Sequence, residues 1–188
     1  MRLIGLSGTN GAGKDTVGEI LAEKFGFLFI SMTDMLREEA LSRGLDTSRE
    51  VLRTISAEWR RESGLGVLID KSISHYEKLG GDTKFSGLVL ASLRNPGEND
   101  RVHELGGEVI WIDADPHVRY DRIFSRSRAD DPTTFEQFML DDQSEMKHSG
   151  DRATLSMADV KIRSDKVFLN EHNNLNDLSD QIAKQLLS

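Results

Sequence analysis

The sequence predicts an α/β protein, with a parallel sheet of five strands flanked by helices on both faces. Three observations carry that expectation. Short apolar runs alternate with longer amphipathic stretches, as in repeated strand–helix–strand units. The runs are continuously apolar, which suits strands buried on both faces. The first run enters a glycine-rich turn and then a helix-like segment.

Strands are expected at Leu3–Leu6, Phe27–Ile30, Leu88–Ala91 and Val109–Ile112. The last strand falls between Val160 and Leu169, where Val160–Ile162 and Val167–Leu169 are both candidates. Among the helices, Thr16–Phe25 places Val17, Ile20, Leu21 and Lys24 at helical spacing. A second helix is expected to begin at Asp34, capped by that residue's carboxylate. Thr47 with Glu50 reads as a capping box for a helix toward Arg61, and Thr133 with Glu136, after Pro132, as another. Leu178–Leu187 closes the chain as a helix. One domain is expected over 1–188. Within it, 35–84 is helix and loop only, too long for a single crossover helix. Such a stretch suits a lobe over the carboxyl edge of the sheet, where ligands of open α/β sheets bind.

Composition narrows the function. With 37% hydrophobic and 30% charged residues, a soluble globular protein is expected. The net charge of −8 argues against a general nucleic-acid or anionic-membrane binder. No apolar run is long enough to span a bilayer, so a cytoplasmic protein is expected, as a monomer or weak homodimer. The absence of cysteine excludes disulfides and cysteine-ligated zinc. The 5 histidines show no metal-ligand spacing.

Residues Gly8-Thr9-Asn10-Gly11-Ala12-Gly13-Lys14-Asp15-Thr16 fit the phosphate-binding pattern G-x-x-x-x-G-K, between a strand and a helix as that pattern requires. Glycines let the backbone turn tightly, and the following helix presents its positive end to an anion. Gly8, Asn10, Gly11, Ala12, Gly13, Lys14, Asp15 and Thr16 are thus the expected site for a nucleoside triphosphate, with Lys14 reaching the β- and γ-phosphates. ATP and magnesium are the expected ligands. Asp15 stands where a magnesium-binding Ser or Thr is usual, and Thr16 follows. Asp15 either holds the ion through water or caps the helix, and Thr16 offers a hydroxyl one residue later.

These residues resemble the nucleoside monophosphate kinase superfamily. Gly11–Thr16 resembles the adenylate kinase loop, and Ile30–Arg37 resembles its I-S-T-G-D-M-L-R segment. The resemblance implies a three-layer P-loop kinase fold with a helical acceptor lobe at 35–84 and a short lid at 120–132. It gives Arg37 a grip on the acceptor phosphate and Arg94, after the third strand, a second one. Asp121–Arg126 resembles the D-R-I-x-x-R that begins the lid, and Arg128-Ala129-Asp130-Asp131 the R-x-D-D that ends it. Arg94-Asn95-Pro96-Gly97-Glu98 also resembles archaeal kinase-like proteins labelled dephospho-CoA kinase-like, and the G-K-D-T loop resembles phage-type deoxynucleoside monophosphate kinases.

Phosphoryl transfer needs alignment, exclusion of water and positive charge around the moving group. Lys14, Arg122, Arg126 and Arg128 are candidates for that charge on the donor side, and Arg37 and Arg94 on the acceptor side. Each arginine alone also suits a solvated surface. Asp34 is the candidate base if the acceptor offers a hydroxyl, as dephospho-CoA does, and a plain N-cap otherwise. The stretch from Val89 to Arg94 lacks the carboxylate that related kinases use near magnesium, which leaves Asp15, Asp34 or Asp113 to replace it. Asp113 equally suits the start of the next helix. The expected function is phosphate transfer from ATP to a nucleoside or deoxynucleoside monophosphate, in nucleotide metabolism. A dephospho-CoA kinase-like enzyme and a nucleotide-binding regulatory NTPase are the alternatives.

Overall fold

The computed structural model describes residues 1–126, 134–147, 150–171 and 175–187. Strands β1 (Leu3–Gly8), β2 (Leu28–Ser31), β3 (Leu88–Leu93), β4 (Glu108–Asp113) and β5 (Lys166–Leu169) form one parallel sheet in the order β2-β3-β1-β4-β5. Successive side chains point to opposite faces, and both faces are covered. Ile4, Leu6, Val89, Ala91, Ile110 and Ile112 join one core with Val17, Leu21, Leu178 and Ile182 of helices α1 (Lys14–Phe25) and α9 (Leu175–Leu187). Leu3, Leu88, Leu90 and Val109 join another core on the opposite face. It is completed by α2 (Met32–Ser42), α3 (Arg49–Ser63), α4 (Val67–Lys78) and α5 (Pro96–Glu104) through Leu36, Ile55, Leu68 and Val102. Each fully buried Leu or Ile contributes roughly 1.5–3 kcal/mol, so this double coverage explains the uninterrupted apolar runs.

The chain between β2 and β3 is α2, α3, α4 and a short 3₁₀ turn at Gly81–Thr83. Beyond β4, α6 (Pro116–Arg126) and α7 (Phe135–Met146) pack through Tyr120, Phe135 and Phe138. Helix α8 (Met157–Ile162) covers the buried Trp111 with Met157 and Val160. No helix among the described residues is long and apolar enough to cross a membrane.

Three local expectations are corrected and one open choice is settled. Helix α2 begins at Met32 rather than Asp34, because β2 runs straight into it. Ser31, the last strand residue, is the N-cap, and its Oγ accepts the Asp34 N–H at 3.4 Å. Helix α3 begins at Arg49, with Ser48 at the cap position and no side-chain cap. The Asp46 carboxylate, which accepts the Ser48 N–H at 2.9 Å, orders that entry in place of the Thr47–Glu50 box. Helix α7 is capped by Thr134, whose hydroxyl accepts the Gln137 N–H at 3.2 Å. Thr133 lies outside the described residues. The last strand is Lys166–Leu169, whereas Val160–Ile162 is the end of α8. Val160 is buried and Ile162 is 81% exposed, a helical alternation set by the single contact face against Trp111.

A bulge marks the end of β3. Leu6 pairs with Ala91 but Ser7 pairs with Leu93, which leaves Ser92 as the extra residue. Ser92 has φ of 75°, a left-handed conformation that non-glycine residues adopt at a cost of order 1–3 kcal/mol. The Ser7 hydroxyl donates to the Leu93 carbonyl at 2.7 Å and holds the displaced strand end.

Candidate active site

The loop from Gly8 to Lys14 lies where β1 leaves the sheet, between β3 and β4. Two glycines are required by close backbone approach. Gly8 has φ of 140°, and a Cβ there would overlap the Ile112 carbonyl. Gly11 has φ of 81°, and a Cβ would lie 2.6 Å from the Arg119 carbonyl oxygen.

Side chains of the loop itself and of distant segments hold the loop's carbonyls. Lys14 Nζ donates to Thr9 O at 2.7 Å, and Asn170 Nδ2 to Ala12 O at 2.8 Å. Arg119 donates to Asn10 O and Arg122 to Gly11 O, each at 3.3 Å. Arg119 is itself gripped by Asp142 at 2.8 and 2.9 Å. Thr9 Oγ1 donates to Asp113 at 2.8 Å. The first turn of α1 carries no side-chain cap, so its positive end is left for an anion. Burial lowers the Lys14 ammonium to about 8, with nearby Arg94 adding to the effect.

A cavity of about 580 Å³ opens over the loop. Its walls include Asn10, Gly11 and Gly13–Thr16 of the loop, Thr33 and Arg37 of α2, and Arg49, Arg53 and Arg60 of α3. Ser92, Arg94, Arg122, Glu145 and Asn170 complete it. Lys14 and six arginines line this space against three carboxylates, Asp15, Glu19 and Glu145, in a chain of net charge −8. The acidic protein concentrates positive charge in one place, as recognition of a phosphorylated molecule requires.

The structure thus brings Asn10, Gly11, Gly13, Lys14, Asp15, Thr16, Arg37, Arg94 and Arg122 to one cavity, with Gly8 and Ala12 shaping the loop. Asp34 is a correction. Its carboxylate pairs with Arg37 at 2.6 Å, is 62% exposed, and faces a separate depression lined by Phe29, Trp59 and Lys71. The shift of the helix start to Met32 turns Asp34 onto the outer side of α2. Arg128 and the Arg126 side chain lie outside the described residues, as do 127–132 of the expected lid.

Asp113 is committed to the loop. It accepts from Thr9, Trp111, Lys161 and the Ala114 N–H. Burial pushes its carboxyl up, but these hydrogen bonds outweigh burial and hold it below the ordinary range. Asp15 differs, since its Oδ1 is buried on the cavity wall without a hydrogen-bond partner. An acceptor atom in that state, on a cavity wall that Thr16 also lines, fits a magnesium ion. No cluster of three or more metal-ligating side chains occurs among the described residues. Magnesium bound largely by phosphate and water needs only one or two protein ligands.

Two carboxylates take part in ordering the cavity walls, and only one of them, Glu98, lies in a pattern the sequence shows. Glu98 Oε2 accepts the N–H groups of Arg94 and Asn95 at 2.7 and 3.1 Å, which fixes the backbone where β3 exits. The Asn95–Glu98 spacing is a capping box and was legible as one. Glu145 lies on α7 and meets Arg53, Arg94 and Arg49 at 2.7, 2.9 and 4.0 Å. Burial raises its carboxyl, yet Arg94, Arg53 and Arg49 together hold it down at about 2. No local pattern around Glu145 signals that role.

Comparison with other proteins places the chain in a family and a fold. An AAA domain family model matches residues 4–145. A UPF0200 protein of Pyrobaculum aerophilum is 32% identical over 189 residues, covering 100% of this chain and 98% of the relative. The chain belongs to the UPF0200 family and carries the AAA domain. A second UPF0200 protein, from Pyrococcus abyssi, is 32% identical over 88% of this chain and 89% of its own. Shikimate kinase from Acinetobacter baumannii, in complex with shikimate, superposes with a TM-score of 0.58 at 15% identity, over 98% of this chain and 92% of that one. A sugar kinase from Janibacter superposes with a TM-score of 0.52 at 14% identity, over 100% and 94%. At such identities the likeness shows the fold, and that fold is the P-loop kinase fold.

Proposed function

We propose that the chain is an ATP-dependent phosphotransferase that moves the γ-phosphate to a nucleoside or deoxynucleoside monophosphate. One observation carries this reading. The phosphate-binding loop and the acceptor-side arginines, Arg37 and Arg94, line the same cavity. A nucleotide switch has no use for arginines facing its γ-phosphate from the far wall.

In this reading the first turn of α1 and Lys14 hold the β- and γ-phosphates. Arg122, anchored on Gly11 and Asn170, stands beside the loop to balance charge on the transferring group. Arg37 and Arg94 align the acceptor phosphate with the donor. A monophosphate is already anionic at neutral pH, so the transfer needs no general base. That matters here because Asp34, the base a hydroxyl acceptor would use, lies outside the cavity. Asp15 and Thr16 would hold magnesium, which supplies charge neutralisation at the β- and γ-oxygens.

The test is an acceptor screen. The protein is incubated with ATP, magnesium and each nucleoside or deoxynucleoside monophosphate, and products are weighed by mass spectrometry. At least one monophosphate should yield its diphosphate, and Lys14→Ala should abolish the product. Turnover that no monophosphate stimulates would end this reading.

A further inference from the structure

Arg94 shares the carboxylate of Glu145 with Arg53, and the proposed reaction leaves Glu145 and Arg53 without a role. Arg53 belongs to α3, Arg94 to the exit of β3 and Glu145 to α7. One carboxylate oxygen accepts from Arg53 Nη2 at 2.7 Å and the other from Arg94 Nη1 at 2.9 Å. The side chains of Arg53 and Arg94 are 44% and 29% exposed, whereas Glu145 is 8% exposed. The carboxylate therefore lies beneath the two guanidinium groups, and both groups remain open to the cavity. Among the described residues neither guanidinium donates to any group except Glu145.

We propose that Arg53 and Arg94 form a two-guanidinium subsite for a phosphate monoester on the acceptor, with Glu145 as the positioning residue that sets their spacing. This rests on the phosphotransferase reading and adds Arg53 and Glu145 to it. The choice of phosphate follows from geometry. The two Glu145 oxygens already take one nitrogen from each group, so a ligand with three terminal oxygens suits the donors that remain better than a second carboxylate does. Two guanidinium groups approaching from separate walls match the three terminal oxygens of a phosphate. Each arginine spends one nitrogen on Glu145 and keeps further N–H donors for the ligand. Ion pairing beneath the site also removes the entropy of fixing two long side chains when the ligand arrives.

Calorimetric titration of the whole chain tests this subsite without turnover. The loop is first saturated with ADP and magnesium, and inorganic phosphate or acetate is then titrated as the probe. Phosphate should bind, with acetate at least about tenfold weaker. Arg53→Met should weaken phosphate roughly tenfold or more, the loss expected for a charge-assisted hydrogen bond. Glu145→Gln should weaken phosphate by a smaller factor, and Glu145→Asp should recover part of it, while Arg53→Met should leave the ADP titration unchanged. Tighter phosphate binding in Glu145→Gln would overturn the proposal, since Glu145 would then compete for the subsite. Acetate binding as well as phosphate, or no effect of Arg53→Met, would also overturn it. A failed acceptor screen with Arg53-dependent phosphate binding would remove the kinase reading alone. Product formation with Arg53-independent phosphate binding would remove the subsite alone.

Discussion

Arg60 Nη2 lies 2.7 Å from Glu98 Oε1, with the two side chains 3% and 0% exposed. The pair joins α3 to the start of α5 through the floor of the cavity. Arg60 also donates to Ser56 Oγ and to the Ala153 carbonyl, neutral acceptors that satisfy further N–H groups and leave Glu98 as its carboxylate partner. Since the second Glu98 oxygen holds the Arg94 and Asn95 N–H groups, the pair ties the Arg94 backbone to α3, the helix that carries Arg53.

Removing one partner of such a pair strands a buried charge. Glu98→Gln should lower stability by about 3 kcal/mol, read from urea denaturation. The same variant should raise the KM for the acceptor more than that for ATP, because it loosens the Arg94 backbone and leaves the loop untouched. A stability loss within experimental error would show that Arg60 is neutralised elsewhere.

Lys14 should make nucleotide affinity depend on pH. Its folded pKa is lowered to about 8, so the ammonium is charged below that pH and neutral above it. Phosphate binding favours the charged form. ADP affinity should therefore be steady from pH 6.5 to 7.5 and fall above 8, at most about tenfold per pH unit. Titration of Lys14→Met should give weaker binding with no fall in this range. An equal slope in the variant would assign the effect to another group.

Glu145 should make the ligand-free protein acid-labile. Its folded pKa is depressed to about 2 from an ordinary 4.5, so its stabilisation is complete above the ordinary value and is lost as pH falls toward 2. The span corresponds to roughly 3 kcal/mol, of which about 2 is gone at pH 3. Denaturation at pH 6 and pH 3 should show that loss in the native chain, and Glu145→Gln should remove this share of it.

Asp15→Asn tests the ion site. The substitution keeps the shape and removes the charge beside the orphaned oxygen. The magnesium concentration that half-saturates turnover should rise by about tenfold, an effect typical of weakening one ligand. ADP binding without magnesium should hold or improve, because a carboxylate near the phosphates is gone. An unchanged magnesium requirement would leave Asp15 without a metal role.

Gly11→Ala tests the loop's packing. The added Cβ would press on the Arg119 backbone, which cannot swing away because Arg119 is held by Ala114, Asn10 and Asp142. The left-handed φ adds strain of about 1 kcal/mol or more. ADP affinity should fall more than tenfold while the far-ultraviolet circular dichroism spectrum is preserved.

The sheet, its flanking helices and the phosphate loop were legible because their causes are local. Uninterrupted apolar runs specify strands covered on both faces, and Gly8, Gly11 and Gly13 with Lys14 specify an anion-binding turn wherever a strand meets a helix. The arginines were legible as types and in their order. What each one faces was not. Asp34 reads as a cap or a base, and only the junction of β2 with α2 gives the cap to Ser31 and turns Asp34 outward. Either Val160–Ile162 or Val167–Leu169 suits a strand, and contact with Trp111 makes the first a helix. Glu145 joins arginines 92 and 51 residues away in the chain. Apolar periodicity and turn chemistry act over a few residues, so the sequence by itself determined most of the element types and the nucleotide loop. Pairing of charges across the cavity depends on which segments the folded core brings together, so the tertiary structure alone decided the partners.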